Sequence, residues 1–326
     1  MRFYITGECG FIARNLKIVL EQRGHEVASS DDELMIKIGQ ENCVYRNSSL
    51  AWSKFFDMKN VDVVIHNAAV VGTDVVALQP SEATLTNVQG TKNIVDACST
   101  LGIPVCFLGT SVIYRTECYQ DVEIDETSEV LPKTYYGVLK HAGDQIISTA
   151  KIDASIVRPL FAYGGVGDMN SLIAKTLFAS WKKRNNLSIF LDPNKIKDYI
   201  HVLDFCDAVA IVCEQKIWNE DLIVSAQDPR PISAVVECLR EYCDPAWPLE
   251  KFLTWLPETD YLGNHRLSSA KFRKLTNWTP KQTLEQGIAS AAQDIQREMS
   301  SINSDYDPLK YLDKAALLGL DLKQNF

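Results

Sequence analysis

No stretch of this sequence is apolar and uninterrupted for long enough to span a bilayer, and it opens on a short strand pattern with no sign of a signal peptide. Positive charge is in deficit. Against 42 Asp and Glu there are 33 Lys and Arg, giving a net charge of -9, which excludes a general attraction to nucleic acid or to an anionic membrane. An anionic ligand would need a local basic or amide-lined pocket. The Cys-x-x-Cys pattern is absent although there are nine cysteines, at positions 9, 43, 98, 106, 118, 206, 213, 238 and 243. Several lie inside apolar runs, so buried reduced thiols are expected and no metal site is indicated. Internal repeats and low-complexity segments are missing as well. These absences leave a cytoplasmic globular protein with no nucleic-acid or membrane partner.

What is present is ordinary in bulk and specific in order. A chain of 326 residues, 46% hydrophobic and 23% charged, can bury a large core, as one α/β unit or as a nucleotide domain with a smaller lobe. Arg2 to Ile5 reads as a buried strand, Thr6 to Ala13 as a glycine turn, and the run carrying Leu16, Ile18, Val19 and Leu20 as an amphipathic helix to about Arg23. Gly7 permits the tight turn, Gly10 lets the backbone approach a pyrophosphate, and the helix N-terminus supplies amides and positive dipole. Ala13 stands where a third glycine would give the closest helix packing. A second strand follows Gly24 and ends near Asp31, about 20 residues past the glycines, where a carboxylate binds the ribose diol of an adenosine. It would repel a 2′-phosphate, so NAD is favoured over NADP.

Further strands are predicted at Val61 to Ile65 and Val105 to Leu108, separated by a helix from about Ser81 to Leu101. Ala68 and Ala69 leave room for a cofactor at the end of the first, and Thr110 lies at the end of the second. This alternation predicts an α/β fold with a Rossmann-type doubly wound parallel sheet, whose ligands sit at the carboxyl ends of the strands.

Tyr136 and Lys140 are four residues apart in a predicted helix and therefore point the same way. A nearby cation favours a phenolate, so Lys140 is expected to lower the Tyr136 pKa and fit the phenol for acid/base work on an alcohol becoming a ketone. Tyr306 and Lys310 share the spacing, but Pro308 breaks the helix that would align them. Tyr135 has Leu139 at its fourth-next position and no ammonium partner in phase.

In order and spacing these motifs resemble the extended short-chain dehydrogenase/reductase family, in its branch of NAD-dependent nucleotide-sugar epimerases, dehydratases and ketoreductases. The similar segments are Thr6-Gly7-x-x-Gly10-Phe11-Ile12, Asn87-Val88-Gln89-Gly90-Thr91, Thr110-Ser111-Val112-Ile113-Tyr114, Tyr136-x3-Lys140, Arg158-Pro159 with Tyr163-Gly164, Lys197-Asp198-Tyr199-Ile200-His201-Val202 and Trp278-Thr279-Pro280. The resemblance covers about residues 1 to 298. It implies cofactor contacts from Gly7, Gly10, Phe11, Ile12, Asp31, Ala68, Ala69, Asn87, Tyr136 and Lys140. Catalysis would fall to Tyr136, Lys140 and Thr110, with His201 making a structural hydrogen bond. It also implies a nucleotide-sugar substrate and a homodimer paired through the helices carrying Asn87 and Tyr136.

Departures from the family pattern narrow the reaction. Ser111 and Val112 stand where the 4,6-dehydratases carry the Asp and Glu that remove water. Phe161 replaces an Asn that commonly contacts the substrate diphosphate, Lys197 replaces an Arg of similar use, and no Arg-Pro-Gly-Asp occurs near Pro257 to Asp260. The substrate contacts expected here are Ser111, Phe161, Lys197 and Arg266. An epimerase is the leading expectation and a 4-ketoreductase the second. A nucleotide-sensing binding protein with a weakened site is the alternative of another class. The expected organisation is a cofactor domain at 1–160 with part of 195–230 interleaved, a substrate lobe at 161–300, and a tail at 301–326 with a possible docking helix.

Overall fold

Each predicted strand of the first half is a short run of apolar, largely β-branched or aromatic side chains, and a sheet covered on both faces is where such runs are stable. In the computed structural model these are β1 (Arg2–Thr6), β2 (Glu26–Ala28), β3 (Val63–His66), β4 (Val105–Leu108) and β5 (Ala154–Arg158), joined by β6 (Asp221–Ile223). The structure describes residues 1–28, 49–116, 123–168, 170–183, 187–189, 191–256 and 263–301. All six strands are parallel, in the order β6-β5-β4-β3-β1-β2. The chain leaves β1 toward β2 on one side and returns to β3 on the other. That reversal opens a crevice at the carboxyl ends of β1 and β3, where open α/β sheets bind ligands.

Helices cover both faces. On one, α1 (Phe11–Gln22) packs against α5 (Val202–Glu214), and Phe3, Ile5, Leu16, Leu20, Val63, Phe205 and Val209 share a core. On the other, α2 (Ser49–Lys59), α3 (Thr91–Leu101) and α4 (Tyr135–Ser148) form a row over Tyr4, Val64, Val105 and Ile156, with Trp52, Phe55 and Phe56 as its aromatic centre. The predicted helix from Ser81 to Leu101 is a rod of three parts, Pro80–Thr84, a π-helical turn at Leu85–Gly90, and α3. Apolar spacing does not reveal such a widened turn.

Beyond β5 the strands are short. The pairs are Ala162–Tyr163 with Ile200–His201, Leu187–Ile189 with Leu253–Trp255, and Ile196–Asp198 with Pro229–Pro231. Helix Leu172–Trp181 packs on α6 (Leu284–Ser301) around Ile173, Leu177, Ile288 and Ile295. The loop at Gly164 to Gly167 is gripped from α1: Asn15 accepts from the Val166 N–H at 3.0 Å and donates to the Val166 carbonyl at 2.8 Å. Asp221–Ile223 rejoins the sheet as β6 beside β5. Cys98, Cys106, Cys206, Cys213 and Cys243 are buried and unbridged, Cys238 is half-buried and Cys9 is exposed. Asp31 and the tail from 302 lie outside the described residues.

Candidate active site

The crevice is built first by backbone. Gly7 has a φ of +70°, and a Cβ there would lie 2.9 Å from the Cα of Ala68 on the neighbouring strand end. Only glycine lets the two segments approach so closely. The Gly10 N–H donates to the Gly7 carbonyl at 2.8 Å, and a Cβ on Gly10 would meet that same oxygen at 3.0 Å. Helix α1 then starts at Phe11 with no side-chain cap and no acidic residue in its first turn. Its amides and positive dipole end are thus open to an anion. The turn, the small Ala68 and Ala69 beside it, and the partly buried Phe11 and Ile12 fit a dinucleotide pyrophosphate.

A hydrogen-bond chain fixes the crevice wall, and each proton in it can be placed. Thr6 Oγ1 accepts from the N–H of Asn67 at 3.0 Å and of Ala68 at 2.9 Å, so its own proton goes to His66 Nδ1 at 2.7 Å. His66 then donates through Nε2 to Thr91 Oγ1 at 2.9 Å, and Thr91 donates to the Asn87 carbonyl at 2.8 Å. The Asn87 side chain closes on Val70, accepting from its N–H at 2.8 Å and donating to its carbonyl at 3.0 Å. Burial pushes the His66 pKa down to about 3, with Lys140 adding to the shift. His66 is a neutral structural histidine. His201 is another: it caps α5 by accepting from the Leu203 N–H at 3.3 Å, and burial lowers its pKa to about 4.

Strand β4 ends at Leu108 and delivers Thr110 to the same rim. Thr134 caps α4, accepting from the Gly137 N–H at 3.1 Å, and so sets the phase that turns Tyr136 and Lys140 inward. The Thr110 hydroxyl approaches the Tyr136 phenol and favours its ionised form, yet burial dominates and pushes the phenol up to about 12. The expected lowering by Lys140 is therefore corrected. Its ammonium, 4% exposed, donates to the Leu108 carbonyl at 2.6 Å and lies 4.1 Å from the centre of the Phe107 ring. Burial brings that ammonium itself down to about 8.

Beneath this pair lies a charge network that the motif pattern does not announce. Arg158 donates to both oxygens of Asp221 at 2.6 Å, to Asp144 at 2.9 Å and to the Thr110 carbonyl at 3.4 Å. It ties α4, β6 and the end of β4 together. Asp144 could have been found from its place four residues after Lys140.

The expected substrate residues separate. Ser111 is buried with no hydrogen-bond partner for its hydroxyl, and the half-buried Arg266 has a buried Nε without one. Phe161 is half-buried with φ +48° and packs against Tyr199 and His265. Lys197 is fully buried, 5.5 Å from the Phe161 ring, and donates to the Gly263 carbonyl at 2.6 Å. Its ammonium braces the lobe from within instead of presenting a charge at a surface. A lysine lacks the planar fork with which an arginine binds a diphosphate at two points.

With this geometry in view, the chain belongs to the NAD dependent epimerase/dehydratase family, which it matches over residues 3–224. Within that family it has the fold of the extended short-chain dehydrogenase/reductases. It is 21% identical over 318 residues to a UDP-glucuronate 4-epimerase of Thermodesulfobacterium geofontis, covering 88% of this chain and 93% of that protein. It is 29% identical over 173 residues to a dTDP-4-dehydrorhamnose reductase of Mycolicibacterium smegmatis, covering 53% of this chain but only 49% of that one. A solved UDP-glucuronic acid 4-epimerase from Bacillus cereus, in complex with UDP-glucuronic acid and NAD, superposes with a TM-score of 0.75 at 18% identity, covering 91% of this chain and all of that one. Among the described residues no helix is long and apolar enough to cross a membrane, and no cluster of His, Cys, Asp or Glu could hold a metal.

Proposed function

We propose that this chain is a nucleotide-sugar epimerase that works with NAD. The observation that carries the reading is the meeting of Thr110 and Tyr136 at the end of β4, beside the glycine turn, with Ser111 and Val112 in the next two positions. That leaves one acid/base group and none of the second pair that removal of water requires. When bound, NAD would take a hydride from a sugar carbon and return it to the opposite face. Oxidation of the sugar hydroxyl would need the Tyr136 phenolate to take the hydroxyl proton, a form that burial disfavours and the Thr110 hydroxyl stabilises; on hydride return Tyr136 would give that proton back to the developing alkoxide. Lys140 would hold the nicotinamide ribose, and Gly7, Gly10, Phe11 and Ile12 the pyrophosphate. Asp31 would take the adenosine ribose, which favours NAD over NADP. The orphan groups of Ser111 and Arg266 are the proposed substrate contacts.

A homodimer belongs to this reading. Leu85, Tyr135 and Val138, on the two helical segments that carry Asn87 and Tyr136, are 44%, 41% and 47% exposed, an apolar surface suited to a second copy.

The similarity to a 4-dehydrorhamnose reductase supports a second reading, a 4-ketoreductase using the same Tyr136 and Thr110. Mass spectrometry of small molecules released by denaturing the purified protein, with absorbance followed on a panel of nucleotide sugars, separates the two. Retained NAD, no net absorbance change and a product of inverted stereochemistry are expected. Consumption of added NADPH by a keto sugar would instead establish the reductase. Failure to bind any nicotinamide nucleotide would sink both.

A further inference from the structure

Asp144 takes no part in the scheme above, yet it extends the column formed by Tyr136 and Lys140 at the same spacing along α4. Its side chain is 3% exposed; one oxygen accepts from Arg158, and the other is buried without a hydrogen-bond partner. Leaving a carboxylate oxygen buried and unpaired is costly. The compensation lies in the charges around it. Lys140 and Arg158 are two buried cations, Asp144 a buried anion and Asp221 a half-exposed one, and together they make a cluster of zero net charge.

Other titratable groups face this cluster. His66 is neutral with both ring nitrogens committed. Tyr114, under the Arg158 guanidinium at 5.8 Å, and Tyr136 are phenols held protonated by burial. Glu126, across the sheet edge near Asp221, is pushed toward its protonated form by burial, and its carboxyl accepts from the Ile223 N–H at 2.8 Å. His141 Nδ1, a buried atom, lies 3.6 Å from the same Asp144 oxygen that accepts from Arg158.

We propose that Asp144 is a positioning residue that keeps Lys140 charged inside the dehydrated site, an inference that rests on the reading of Tyr136 and Lys140 given above. Burial draws the Lys140 proton off toward neutrality, Asp144 is the chief influence holding it on, and Arg158 opposes. Without the Asp144 charge the cluster would be left with one positive charge in excess. Loss of the Lys140 proton would relieve it. Arg158 would still hold Asp221 through two hydrogen bonds, so Asp144→Asn preserves much of the scaffold.

The test is a lysine-selective 15N NMR titration of the protein without added nucleotide, with the Lys140 signal assigned by its loss in Lys140→Arg. In the native protein Lys140 is expected to titrate at about 8. In Asp144→Asn it should do so at least about one unit lower, the lower end for loss of a close opposite charge. Asp144→Glu should restore it, and the alkaline limb of the kcat profile should move with it. If Asp144→Asn does not fold, Asp221→Asn on the partly exposed edge strand should shift Lys140 in the same direction by less. A lower urea midpoint with an unmoved Lys140 titration would mean that Asp144 is only structural and would overturn the proposal. If Lys140 shifts but Tyr136→Phe keeps full turnover, the acid/base reading falls and the role of Asp144 in holding the charge stands.

Discussion

Replacing Gly7 with alanine tests the most exacting contact in the cofactor crevice. Two costs are separable. Holding a non-glycine residue at φ +70° costs about 1–2 kcal/mol. The new Cβ would also press on the Ala68 Cα at 2.9 Å and N at 3.3 Å, which are backbone atoms of a strand end and cannot turn aside as a side-chain tip can. Overpacking of this kind costs about 1–3 kcal/mol more. Gly24 supplies the control: its φ is +82°, but nothing lies within 4 Å of the Cβ position. Gly24→Ala should therefore show only the dihedral cost, about 1–2 kcal/mol, and Gly7→Ala about 2–5 kcal/mol in all. Urea unfolding measures both, and titration calorimetry with NAD measures the function. If the turn backs away from Ala68 by even a few tenths of an ångström, the amides over the pyrophosphate move with it, and affinity should fall about tenfold or more, equivalent to about 1.4 kcal/mol. Equal destabilisation by the two variants, with NAD affinity unchanged in Gly7→Ala, would refute the argument that close approach shapes this site.

Other outcomes follow from the buried groups. An unfolded histidine takes a proton below about pH 6.5, whereas folded His66 resists until about 3 and His201 until about 4. Stability should rise with pH through that interval and be complete above it, each histidine contributing a slope of about 1.4 kcal/mol per pH unit; urea midpoints for His66→Gln should lose about one proton of that slope, and an unchanged slope would contradict the neutral assignment. Arg158→Ala strands two carboxylates, so about 3–5 kcal/mol of stability should be lost, with Arg158→Lys in between; calorimetric melting decides. Val138→Glu, on the exposed face of α4, should convert a dimer to a monomer by size-exclusion light scattering with little change in melting temperature, and a dimer that persists would remove this face from the assembly.

The fold was legible because its punctuation is chemical: the Gly7 turn and the buried strand runs are dictated by residues next to one another in the chain. So was the pairing of Tyr136 with Lys140, which needs only helical spacing. What escaped depends on distant partners. Helical periodicity does not say that the Leu85–Gly90 turn widens, because the carbonyl that each N–H selects is decided by packing. Nor does it say that burial outweighs any help to the phenol, that Lys140 turns to Leu108, or that Lys197 turns inward to Gly263. The bonds of Thr6 to His66 and of Asp221 to Arg158 join residues 60 and 63 positions apart, which no local pattern announces. Asp31, the basis for preferring NAD, lies outside the described residues and remains a proposal.

The placement of β6 has a consequence for how the molecule is made. Asp221, which completes the Arg158 guanidinium, is synthesised 63 residues after it. While the chain emerges from the ribosome, β5 stands as an open edge and Arg158 lacks one of its two carboxylates. Segments fold roughly in order of synthesis, so β1 to β5 must wait for the segment that runs from β5 to β6 before the sheet can close. A chain truncated before Asp221 would thus carry an unpaired strand edge and an unbalanced buried cation, and its fate would be aggregation rather than a working cofactor domain.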